Sequence, residues 1–68
     1  DLTGPITQVS ATSITVGGVT FIITSETRIE DASGDPISVE ALSSGVLVRV
    51  QGQCEGEDLI AERIRITE

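Results

Sequence analysis

Apolar and polar residues alternate along most of this chain, and the alternation predicts five strands. The first covers about Gly4 to Ser10. Its apolar residues Ile6 and Val9 are three apart rather than two, which predicts a bend or bulge. The second is Ser13 to Val16, with Ile14 and Val16 inward. Gly17-Gly18 then supplies a pair that tolerates positive φ in a two-residue hairpin. The third strand is Val19 to Thr24, with Val19, Phe21 and Ile23 on one face and Thr20, Ile22 and Thr24 on the other. Glu26 to Asp31 continues extended, returning Ile29 to the core.

Ala32 to Pro36 reads as a turn. Ile37 to Leu42 is expected to hold one short helical turn, with Ser38 as N-cap, Glu40 in the first turn and Gly45 as the stop. The fourth strand is Val46 to Gln51, with Val46, Val48 and Val50 inward and Leu47 and Arg49 outward. Gln53 to Asp58 is expected to be an acidic loop. The fifth strand runs from Leu59 to Thr67. Leu59 and Ala61 face in, then Ile64 and Ile66, so the phase slips at Glu62-Arg63 and a bulge is expected there.

Ile and Val total 16 residues against 4 Leu, which suits a pleated sheet better than helices. Three meander strands, a helical turn and a hairpin, on 68 residues, cannot cover both faces of an open sheet. Closing the sheet removes its edges and leaves one interior. The expected fold is therefore all-β: a five-stranded OB-like small barrel with the helical turn between strands three and four plugging one end. A small SH3-like barrel is the alternative. Residues 1–68 are expected to form one domain, and a start at Asp1 rather than Met reads as a domain excised from a longer chain.

Charge narrows the possible chemistry. There are 11 acids and 4 bases, all of the latter arginine, for a net charge of -7. His, Lys, Tyr, Trp and Met are absent, and Phe21 is the one aromatic residue. Without His, and with Cys54 alone, a Cys/His zinc site cannot form within one chain. General bases and nucleophiles are restricted to carboxylates, hydroxyls and one thiol. No apolar run approaches the roughly 20 residues that span a bilayer, so direct membrane insertion is not expected.

Several short motifs have the spacing of a known family. They are Gly4-x-Ile6, Ile14-Thr15-Val16-Gly17, Thr27-x-Ile29, Leu42-x-x-Gly45, Val48-x-Val50-x-Gly52, and Gly56 leading to Ala61-x-x-Ile64. The chain resembles the bacterial domain-of-unknown-function family numbered five-six-six-six over nearly its whole length. The resemblance implies a small OB-like barrel, often in tandem copies within exported, envelope-associated proteins, and so an extracellular or periplasmic location. It supplies no catalytic residues.

An OB fold binds its usual ligands on strands two and three, between the first and fourth inter-strand loops. Here the outward residues are Ser13, Thr15, Thr20, Ile22 and Thr24, none basic or aromatic, and Glu55, Glu57 and Asp58 sit in the adjoining loop. Nucleic acid is not expected as a partner, because the dominant electrostatic term has the wrong sign. Glu30, Asp31 and Asp35 raise the question of a weak Ca²⁺ site, but the spacing does not match an EF-hand, and solvated turn carboxylates are the simpler reading. Arg49, Arg63 and Arg65 should lie outward on adjacent strands, either as an anion-binding spot or paired with outward acids. Cys54 beside acids is not expected to be a reactive thiol.

Ile22, Leu47 and Ile60 are apolar at outward positions and form the candidate interaction surface, since a contiguous exposed apolar patch argues for contact. No catalytic, metal or cofactor residues are expected. The expected function is a non-catalytic structural or protein-interaction module of a larger exported protein, its partner a neighbouring domain of the same chain or a second copy. The alternative is a domain that binds a small ligand, cation or glycan.

Overall fold

A computed structural model describes residues 1–67; residue 68, the last of the expected domain, lies outside the described residues. Six strands form: β1 (Leu2–Val9), β2 (Ser13–Val16), β3 (Val19–Ile22), β4 (Arg28–Glu30), β5 (Leu47–Glu55) and β6 (Asp58–Ile66). A 3₁₀ turn, Val39–Ala41, lies between β4 and β5. Five of the strands close a barrel. Antiparallel pairing runs β3-β2-β1-β5-β6, and β6 returns to β3 in parallel. This is the OB connectivity, in place of the SH3-like alternative. The additional strand, β4, is the extended Glu26–Asp31 segment, and it pairs with β6 in parallel through Arg28↔Arg63, Ile29↔Ile64 and Glu30↔Arg65.

The interior follows the alternation closely. Ile14 and Val16 of β2, Val48 and Val50 of β5, and Ile64 of β6 are fully buried, with Ile6, Phe21 and Ala61 nearly so. Leu42, just past the 3₁₀ turn, is buried and plugs one end. The turn starts where Ser38 Oγ accepts a hydrogen bond from the N–H of Glu40 at 3.1 Å. The N–H of Gly45 then donates to the carbonyl of Ile6 at 2.7 Å, which fastens the following segment to β1.

Both bulges fall where the phase of the pattern slips. The β1–β2 register shifts between Ile6 and Gln8. Along β5–β6, Gln51 stands opposite Arg63 and Gly52 opposite Ala61, which leaves Glu62 as the extra residue. A two-against-one mismatch of this kind bends the strand and turns the next side chains onto the proper face.

Three local expectations need correction. β3 ends at Ile22, because the chain turns away through a Thr24–Thr27 hydrogen bond of 3.1 Å. Val19, the first residue after the Gly17-Gly18 turn, is 37% exposed. Gln53 to Asp58 is not a loop. The β5–β6 ladder continues to Glu55↔Asp58, closed by the two residues Gly56-Glu57. A φ of 64° at Gly56, followed by a negative φ at Glu57, is the combination found in a type II′ hairpin turn.

Thr27 ties the β3–β4 connection to the barrel. Its hydroxyl donates to the carbonyl of Ala61 at 2.6 Å and accepts from the N–H of Thr24 at 2.9 Å. Thr27→Val keeps the β-branched shape and removes both bonds, so it is expected to cost about 1–2 kcal/mol. A urea denaturation curve should show a lower midpoint at unchanged slope. A change below about 0.3 kcal/mol would mean the hydroxyl does not anchor this segment.

Candidate functional site

The parallel seam that closes the barrel rests on one backbone pair, Ile22↔Ile60. The neighbours of these residues, Phe21 and Ala61, point into the core, so strand alternation turns Ile22 and Ile60 outward. Both are half-buried and lie side by side. Leu47 is 41% exposed but does not join them. It pairs with Pro5, whereas Ile60 stands opposite Gln53 on the same strand. Six residues of strand separate the two positions, about 20 Å. The candidate surface is therefore the Ile22–Ile60 seam, with Leu47 a separate exposed side chain.

A shallow open groove borders the seam, lined by Thr24, Glu26, Arg28, Glu62 and Arg63 as well as Ile60. It sets acidic and basic side chains around an apolar strip. A second open groove lies at the barrel end, where Ile23, Ile29, Ile37 and Val39 face it together with Ala11 and Pro36.

The usual OB ligand face is chemically plain. The hydroxyls of Thr15 and Thr20, opposite each other on β2 and β3, bond to one another at 2.9 Å. The Thr7 hydroxyl donates to the carbonyl of Thr15. The acidic turn also has local work: Asp31 Oδ1 accepts hydrogen bonds from the N–H groups of Ser33 at 2.9 Å and Asp35 at 3.0 Å. That carboxylate braces its own loop. Among the described residues, no group of three or more His, Cys, Asp or Glu side chains is arranged to hold a metal ion. Cys54 is an exposed free thiol on β5.

The arginines lie on adjacent strands as expected, each with a local partner. Arg49 bonds Asp1 in an exposed ion pair. Arg63 Nε lies 3.4 Å from Glu30 Oε1. Arg65 donates to the carbonyl of Ala32 at 3.0 Å. Arg28, absent from that expectation, is set by β4 directly beside Arg63. The alternation Arg28-Ile29-Glu30 was the available signal, but a three-residue strand gives little of it.

The closed barrel, the 3₁₀ turn at one end and the plain ligand face define an all-β, OB-like module. The chain belongs to the family described as Domain of unknown function (DUF5666), whose model matches residues 3–65. No curated protein and no solved structure matches it.

Proposed function

We propose that this domain is a non-catalytic interaction module that docks, through the Ile22–Ile60 seam, on a second barrel of its own kind. That barrel belongs to another copy or to the same polypeptide. The observation that carries the reading is the placement of two large apolar side chains together on the outer wall. Burying such residues is worth about 25 cal/mol per Å² of apolar surface. The mixed-charge rim of Glu26, Arg28, Glu62 and Arg63 can orient a partner that offers the same pattern. A sequence without His, Lys or Tyr has few acid–base groups to offer a reaction, which supports a binding role over catalysis. An extracellular or periplasmic setting is part of the proposal and rests on the family resemblance.

Sedimentation equilibrium tests the reading. Ile22→Thr with Ile60→Thr keeps β-branching at both positions and should weaken association of the barrels at least about tenfold, with a cooperative melt retained. Unchanged association in the folded double variant would overturn it.

A further inference from the structure

The four basic residues of this acidic chain all lie on one outer face. Ile64 of β6 and Val48 and Val50 of β5 are buried, so Arg63, Arg65 and Arg49 alternate outward. Arg65 stands opposite Glu30 on one side and Arg49 on the other; Arg63 stands opposite Arg28 and Gln51. Two cross-strand pairs, Arg49↔Arg65 and Arg28↔Arg63, thus set like charges against each other. Such pairs destabilise a sheet. The chain has 11 acids with which to avoid them. The local partners Asp1, Glu30 and the carbonyl of Ala32 take few of the five N–H donors that each guanidinium carries, which leaves donors on this face for a further acceptor.

The opposite charge is displayed just as distinctly. From Gln53 to Asp58 every residue of the β5–β6 hairpin is exposed, so this ribbon extends past the core with both faces in solvent. It carries Glu55, Glu57 and Asp58 and no base. The molecule is elongated, 32 × 22 × 20 Å. Arg49 and Glu55 are six residues apart on β5, about 20 Å, so the finger does not reach Arg49 or its cross-strand neighbour Arg65 on its own barrel, although Glu55 shares a groove with Arg28 and Arg63.

We infer that the arginine face of one copy receives the acidic β5–β6 finger of another. The inference rests on the reading of the domain as an interaction module but centres on Arg49 and Arg65, which lie outside the groove that borders Ile22–Ile60. Face and finger are unlike patches, so the contact is heterologous and propagates from copy to copy. Guanidinium groups are suited to forked bonds with carboxylates. Salt acts in two directions. At low ionic strength, two molecules of net charge -7 repel as wholes. At about 0.15 M salt the Debye length is about 8 Å, so the local complementary charges dominate; at high salt they too are screened. Association is therefore greatest at intermediate salt.

The test uses two neutralised variants whose changes are all at the protein surface. Arg49→Gln with Arg65→Gln disables the face; Glu55→Gln with Glu57→Gln disables the finger. Sedimentation velocity should show weak self-association of the wild type with a maximum at intermediate salt. Each variant alone should lose at least about tenfold in association constant. An equimolar mixture of the two should form a dimer that does not grow, because one intact finger meets one intact face. Circular dichroism melts confirm that each variant is folded. A wild type that stays monomeric across the salt series would overturn the inference, as would a mixture that fails to associate. Ile22→Thr with Ile60→Thr separates the readings. Association lost there but retained in both charge variants overturns the finger–face contact and leaves the apolar seam standing.

Discussion

Ile64→Ala is expected to remove a large share of the domain's stability and to lower its melting temperature steeply. Ile64 is fully buried on β6, flanked by Ile29 of β4 and Val50 of β5. Truncating a buried Ile to Ala costs about 2–5 kcal/mol through lost transfer energy and the cavity left behind. Typical stabilities of roughly 0.05–0.15 kcal/mol per residue give a domain of this length only about 3–10 kcal/mol in total. One side chain thus holds a large share of the stability, because a small barrel has few interior positions over which to spread a loss. Far-UV circular dichroism with temperature, supported by the loss of amide dispersion in NMR spectra, reads the outcome. A cooperative melt within about 1 kcal/mol of wild type would contradict the description of the interior.

Gly52→Ala is the second large effect, from the opposite cause. A Cβ built on Gly52 would lie 2.7 Å from Cε2 and 2.9 Å from Cδ2 of Phe21, and 3.2 Å from the carbonyl oxygen of Ile60. Gly52 has no positive φ, so the constraint is space rather than backbone conformation. The ring of the one aromatic residue occupies the room that a side chain would need. Overpacking of this kind costs about 1–3 kcal/mol. Phe21→Leu should relieve part of it. In a double-mutant cycle from urea melts, the paired substitution should be less destabilising than the sum of the two by at least about 0.5 kcal/mol. Additive losses would mean that the ring and Gly52 are not in contact.

The Gly52–Phe21 contact also marks the boundary of what the chain makes legible. Alternation reports which residues are buried, so it located the β2–β3 hairpin, the inward faces of β5 and β6, and both bulges. It reports nothing about pairing that buries no side chain. Gln53 to Asp58 looked like a loop because neither face of that ribbon meets the core, and only the hydrogen-bond ladder holds it. β4 has three residues and one inward side chain, Ile29, too little for a period, and its parallel partner lies more than thirty positions away in sequence.

The candidate surface was legible to a similar depth. Outward orientation followed from the pattern for Ile22, Leu47 and Ile60, and the barrel order joined Ile22 to Ile60. The distance of Leu47 from them depends on β5–β6 register, which the bulge at Glu62 and the turn at Gly56-Glu57 set together. Gathering all four arginines on one face required β4 as well.

The central proposal is that this barrel acts through its outer wall, by contact with another barrel at the Ile22–Ile60 seam. A concentration series of ¹H–¹⁵N spectra of the labelled chain tests it most directly. The proposal predicts concentration-dependent amide shifts that include Ile22, Thr24, Arg28 and Ile60. Shifts confined to Ile23, Ile37 and Val39 at the barrel-end groove, or spectra unchanged up to millimolar concentration, would contradict it.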